Sequence, residues 1–157
     1  AQILRDEIPE LRLRVVNVTD LLVLERDTAH PHGLDDELFA ALFTAEAPVL
    51  INFHGYVSAV KQLLFGRPHA HMHRFHINGY QEEGTTTTPF DMNVRNGTSR
   101  YHLIIQAIRL AAVHNPVVAV RASERVHHYE YILVDHRRYI QEHGVDPDEI
   151  KNWKWHD

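Results

Sequence analysis

Apolar positions along this chain follow two spacings, and the switches between them mark out its elements. Ile3, Leu4 and Ile8 recur every three or four residues with Arg5, Asp6 and Glu7 between them, predicting a helix ended by Pro9. Leu13, Val15, Val16 and Val18 form a β-branched run of strand length. Thr19-Asp20 supplies a cap for a brief turn through Leu24, and a loop around His30-Pro31-His32-Gly33 follows. Asp35 or Asp36 then caps a helix whose apolar face is Leu38, Phe39, Leu42 and Phe43. Pro48 opens a second apolar run, Val49-Leu50-Ile51-Asn52-Phe53, and a helical stretch from Val57 to Phe65 is broken by Gly66 and Pro68. Residues 72–77 predict a third strand, and residues 79–91, rich in turn formers and threonine, a loop. Ser99 caps a long amphipathic helix carrying Leu103, Ile104, Ala107, Ile108 and Ala111, which ends before Asn115-Pro116. A helix from about Ser123 to His143 and a short one after Asp146-Pro147 complete the chain. Trp153 and Trp155, close to its end, are expected to dock, because exposing both leaves large apolar area in water.

Strands alternating with helices predict an α/β fold: a three-layer, mixed and mostly parallel sheet with helices on both faces. No repeat or linker divides residues 1–157, so a single domain is expected. Sheets of this kind normally begin with a strand, whereas this chain begins with a helix. The arrangement therefore predicts that the first strand lies upstream of Ala1, the chain being a fragment of a longer one. A sheet lacking that strand exposes ladder groups and apolar surface, so self-association is expected.

Composition narrows the function. Sixteen basic against 21 acidic residues give a net charge of −5 with histidine neutral, which argues against a general nucleic-acid binder. Arg121, Arg125, Arg137 and Arg138 on the late helices read accordingly as a solvated face. There is no cysteine, which removes disulfides, thiolate metal sites and cysteine nucleophiles. No apolar run approaches the roughly 18–20 residues needed to cross a bilayer, and no signal-peptide pattern opens the sequence, so a cytoplasmic setting without membrane partners is expected. Histidine is abundant, with 14 in 157 residues. Protonating them all would carry the net charge from −5 to +9, so surface charge is expected to depend strongly on pH near the unperturbed imidazole pKa of about 6.5.

Three constellations are candidates for chemistry. In His69-Ala70-His71-Met72-His73 an extended backbone would project His69, His71 and His73 to one face, where three imidazoles suit zinc, nickel or copper. The plainer alternative is a histidine-rich exposed segment with no physiological metal. His54 follows the second strand, and ligands gather at the carboxyl ends of strands in open α/β sheets. His30 and His32 flank Pro31 in a loop with no evident partner. The third constellation runs from Gly79 to Met92. Its Glu82, Glu83, Thr85, Thr86, Thr87 and Thr88 can satisfy a neighbouring backbone or a phosphate. Adjacent carboxylates need not converge, so they do not by themselves indicate acid–base catalysis. No nucleophile elbow, P-loop or G-x-G-x-x-G fingerprint occurs.

As a literal string, Gly79-Tyr80-Gln81-Glu82-Glu83-Gly84-Thr85-Thr86-Thr87-Thr88-Pro89-Phe90-Asp91-Met92 resembles a signature of the C-terminal domain of xylulose 5-phosphate/fructose 6-phosphate phosphoketolases. Val15-Val16-Asn17-Val18, His30-Pro31-His32-Gly33-Leu34, Phe53-His54-Gly55-Tyr56, Arg100-Tyr101-His102-Leu103 and Ile150-Lys151-Asn152-Trp153-Lys154-Trp155 resemble the same family. The dense histidines between Pro68 and His76 depart from its pattern. The resemblance implies a fold similar to the transketolase C-terminal domain, at the end of a much longer chain. It also implies an enzyme that uses thiamine diphosphate and Mg2+ to cleave a ketose phosphate with inorganic phosphate, giving acetyl phosphate and a shortened aldose phosphate.

In that family the cofactor is held by two upstream domains, and the G-D-G start of its metal-binding motif is absent here. No catalytic residue, cofactor or metal is therefore expected in this segment. Its expected role is structural, supporting a dimer or higher homo-oligomer, with His54 and the 82–87 loop as candidate ligand-proximal residues. Two other classes remain open. One is a regulatory module binding a nucleotide or phosphate near Asn17, His54 and the threonine loop; the other is a histidine-cluster metal protein.

Overall fold

The computed structural model describes residues 1–67, 72–81 and 86–154. It forms two compact units, residues 1–80 and 81–157.

The first unit opens with α1, Gln2–Glu7, and continues as an extended segment into a 3-10 turn, Leu21–Leu24. Asp20 caps that turn by accepting from the Leu22 N–H at 2.9 Å. Residues 13–18, predicted as a strand, are not one. Val15 is exposed, and the polar anchor of this stretch is a side chain: Arg14 donates to the carbonyls of Ala41 and Leu42 at 2.6 and 3.0 Å. β-Branched composition alone does not make a strand when no ladder takes up its backbone groups.

Helix α2, Asp36–Phe43, starts where Asp35 accepts from Leu38 N–H at 2.7 Å. Strand β1, Val49–Tyr56, passes into α3, Val57–Phe65, and strand β2, Phe75–Tyr80, returns parallel to β1. The architecture is thus mixed α/β with a parallel pair of strands, as expected. Residues 72–74, predicted to begin the last strand, form a 3-10 turn instead. Val49 pairs with Phe75, Ile51 with Ile77 and Asn52 with Asn78, and the ladder resumes at Tyr56 and Tyr80. Between those last two pairs β1 carries Phe53, His54 and Gly55 where β2 carries Gly79 alone, a bulge of two extra residues. Gly79 is required there, since a Cβ on it would lie 2.4 Å from the Gly55 carbonyl oxygen.

Leu24, Phe39, Phe43, Val60, Leu64 and Phe75 make the core of this unit, with Val49, Ile51, Phe53 and Ile77 packed against it. Two buried arginines tie loops to that core. Arg67 donates to the Leu24, Val23 and Asp35 carbonyls at 2.9, 3.3 and 3.5 Å, to the Glu25 carbonyl, and to Asp36 at 3.3 Å. Its guanidinium lies 4.0 Å from the Phe39 ring centroid. Arg74 donates to the Phe43, Ala47 and Thr44 carbonyls at 2.9, 2.9 and 2.8 Å, placing positive charge at the α2 C-terminus, where the helix dipole favours it.

The second unit is helical. It comprises α4, Pro89–Arg95; α5, Arg100–His114; α6, Pro116–Val120; α7, Ala122–His143; and α8, Asp148–Lys151. Ser99 caps α5 as predicted, accepting from His102 N–H, and Gly144 ends α7 at φ +67°. Helix α6 was not predicted: Asn115-Pro116 ends α5 and also begins a new helix, the Asn115 side chain accepting from Val117 and Val118 N–H. Ile104, Ile105 and Ile108 of α5 are buried, as are Val118 of α6 and Val126 and Tyr129 of α7. Trp153 is half-exposed, its ring centroid 5.7 Å from the Arg100 guanidinium. Trp155 lies outside the described residues.

Candidate functional site

The densest polar arrangement lies in the second unit and is built outward from the start of α4. Thr88 is its N-cap and Pro89 its first residue, a pairing that suits a helix start. This puts Asp91 in the first turn, 3% exposed. Its Oδ2 accepts from Thr87 Oγ1 at 2.7 Å and from Arg95 Nε at 2.7 Å, one helical turn later. Nε2 of His136, a buried residue of α7, stands 3.6 Å from the other carboxylate oxygen, too far for a hydrogen bond. Burial pushes the Asp91 carboxyl up. The hydrogen bonds from Arg95 and Thr87 and the charges of Arg95 and His136 outweigh it, so the group titrates below its ordinary value. Thr88 Oγ1 in turn donates to buried Asp146 at 2.6 Å, linking α4 to the loop after α7.

Beside this network opens a cleft of about 510 Å³, lined from α4 by Asp91, Arg95 and Asn96, from α5 by His102 and from α7 by Arg137 and Gln141. Asn96 is held in place on this lining: its side-chain oxygen accepts from Gln81 N–H at 2.5 Å and its nitrogen donates to the Met92 carbonyl. His102 Nδ1 lies 2.8 Å from Ser99 Oγ. Burial and then the charge of Arg137 hold the His102 pKa below the usual imidazole value. Chemically the cleft offers cations and amide groups around a carboxylate already occupied by Arg95.

The sequence candidates fall as follows. His54 lies within the β1 bulge rather than after the strand, and is exposed on the first unit. Asn17 is exposed on the same unit. Thr86 is exposed and Thr87 is bonded to Asp91, both on the second unit; Glu82, Glu83 and Thr85 lie outside the described residues. His73 is exposed in the 3-10 turn, so the alternation of an extended strand does not reach it, while His69 and His71 lie outside the described residues. Among the described residues no group of three or more His, Asp or Glu is arranged to hold a metal ion. The loop at His30 and His32 does have a partner: His32 Nδ1 lies 2.7 Å from Asp20 Oδ2, and His30 Nδ1 accepts from the His32 N–H.

Sequence reasoning passed over Asp91, Arg95, His102, His136 and Arg137 as a set. One local signal was readable, the Asp91–Arg95 spacing of four next to a threonine cap. The approach of α7 was not.

Compared with protein families, residues 1–155 match the model described as XFP C-terminal domain. The chain belongs to that family. This XFP C-terminal domain is 45% identical over 154 residues to a protein of Bradyrhizobium diazoefficiens named probable phosphoketolase, covering 98% of the chain and 18% of that protein. A probable phosphoketolase of Rhodopseudomonas palustris is 44% identical over 153 residues, and probable phosphoketolase 2 of Rhizobium meliloti is 44% identical over 154; each match covers 98% of the chain and 19% of the relative. The XFP C-terminal domain therefore spans under a fifth of these curated relatives. The end of the string that suggested the family, Thr86 to Met92, leads into α4, where Thr87 and Thr88 each bond Asp91.

Proposed function

We propose that this chain is the C-terminal domain of a cytoplasmic phosphoketolase, an aldehyde-lyase that cleaves xylulose 5-phosphate or fructose 6-phosphate with phosphate to acetyl phosphate and an aldose phosphate. The observation that carries the reading is the match of nearly the whole chain to relatives that bear the phosphoketolase name and are five times its length. Thiamine diphosphate and Mg2+ supply the carbon–carbon cleavage in such an enzyme, the thiazolium acting as electron sink. Both belong to upstream domains of the same polypeptide in this reading. The described residues gather no metal-ligating group, and no step of the cleavage is assigned to them. Their task is structural: to fold onto the rest of the enzyme and support its homo-oligomer.

The test is a coupled measurement of acetyl phosphate from fructose 6-phosphate and inorganic phosphate. A full-length polypeptide carrying this domain is expected to form the product when supplied with thiamine diphosphate and Mg2+, and the isolated 157-residue chain to form none. Product from the chain alone would overturn the division of labour, and no product from the full-length polypeptide on either ketose phosphate would overturn the activity.

A further inference from the structure

We propose that the cleft between α4, α5 and α7 binds a phosphate group, either inorganic phosphate or the phosphate of a small monoester, with Arg137 as its principal cationic anchor. The site is independent of the phosphoketolase reading.

Three observations converge on an anion. Arg137 is exposed on the cleft wall and has no carboxylate partner among the described residues. Its neighbour Arg138, by contrast, pairs with Asp135 on the same helix at 3.4 Å, and Arg121 pairs with Glu124 at 2.9 Å. An arginine left without an acid beside a concave surface keeps its planar fork of donors available to a phosphate.

Second, among the described residues the one acid on the lining is already neutralised. Asp91 is held by Arg95 and Thr87 and is nearly inaccessible, so it presents little charge to the cleft, while the Arg95 side chain remains 40% exposed. Among the described residues, two guanidinium groups against one carboxylate leave the lining net positive on a chain whose overall charge is −5.

Third, the remaining polar groups suit an oxyanion. Gln141 offers an amide from α7, and His102, facing Arg95 and Asp91 of α4 and Arg137 of α7, becomes a further donor when protonated. The volume of about 510 Å³ lies within the range of small-ligand sites and exceeds the needs of orthophosphate alone, which leaves room for an esterified polyol.

The experiment is a titration of the whole 157-residue chain with inorganic phosphate and, separately, with a hexose monophosphate, at constant ionic strength set with chloride. Imidazole resonances of His102, assigned with His102→Gln, report the cleft, and calorimetry gives the affinity. Saturable shifts of His102 toward the protonated form are expected with both probes. Arg137→Ala is expected to weaken binding by roughly ten-fold or more, since it removes a charge-assisted contact, and Arg138→Ala to change it by less than about two-fold. Tighter binding of the monoester assigns the site to an esterified ligand; equal affinities assign it to orthophosphate. Unperturbed His102 signals in the folded chain at saturating phosphate, or equal affinities in Arg137→Ala and the parent, would overturn the proposal.

Discussion

Replacing Asp91 by asparagine keeps the shape of the side chain and removes its charge. The carboxylate accepts from Thr87 Oγ1 and Arg95 Nε at 2.7 Å each, at a residue only 3% exposed. Hydrogen bonds to charged groups contribute about 1.5–3 kcal/mol each, and the partly exposed Arg95 recovers some solvation when its partner is lost. The net cost is therefore about 2–4 kcal/mol, which lowers the unfolding midpoint of a domain of this size by roughly 5–15 °C.

The pH dependence gives the sharper check. The Asp91 pKa is depressed in the folded state, so the unfolded chain binds more protons between the two pKa values. Its stabilising contribution is present in full above the unfolded carboxylate pKa of about 3.9 and is lost as pH falls through the folded one. Thermal unfolding of the parent and Asp91→Asn, followed by circular dichroism from neutral pH downward, should show a gap that narrows in acid. A gap of under about 0.5 kcal/mol at neutral pH, or one that persists unchanged in acid, refutes the assignment of stability to this carboxylate.

Two further outcomes are expected. Arg67→Lys keeps a positive charge but replaces a fork that reaches the Val23, Leu24, Glu25 and Asp35 carbonyls together with Asp36, so urea unfolding should show a loss of about 2–4 kcal/mol; an unchanged midpoint would mean that charge alone suffices. Gly79→Ala puts a methyl group 2.4 Å from the Gly55 carbonyl oxygen and 2.9 Å from Val57 Cγ2, so amide exchange should accelerate at the end of the β1–β2 ladder, with about 1–3 kcal/mol lost; native exchange rates there would contradict the close approach.

What was legible in the sequence was local. Asp20, Asp35 and Ser99 are caps whose N–H donors lie two or three residues ahead, and each forms the bond predicted for it. The apolar run from Val49 to Phe53 likewise marks β1, whose Val49, Ile51 and Phe53 pack against the core. The misreadings share one cause, a long-range partner. Residues 13–18 look like a strand by composition, yet whether a β-branched run joins a ladder depends on what lies alongside. His54 was placed beyond the strand because the apolar run stops at Phe53, whereas pairing with β2 carries the strand on to Tyr56. The cleft was invisible for the same reason: 35 residues separate His102 from Arg137, and only the packing of α5 on α7 brings both to one wall.

The β1 bulge sets how this unit can vary in length. Side chains alternate faces with every residue, so two surplus residues restore the original phase. Asn52 and Tyr56 therefore share a face, and the Tyr56 ring meets Tyr80 edge-on at 5.6 Å. One residue gained or lost between Asn52 and Tyr56 would invert that parity, separate the tyrosines and rotate the entry into α3. Viable length changes at this point should come in steps of two.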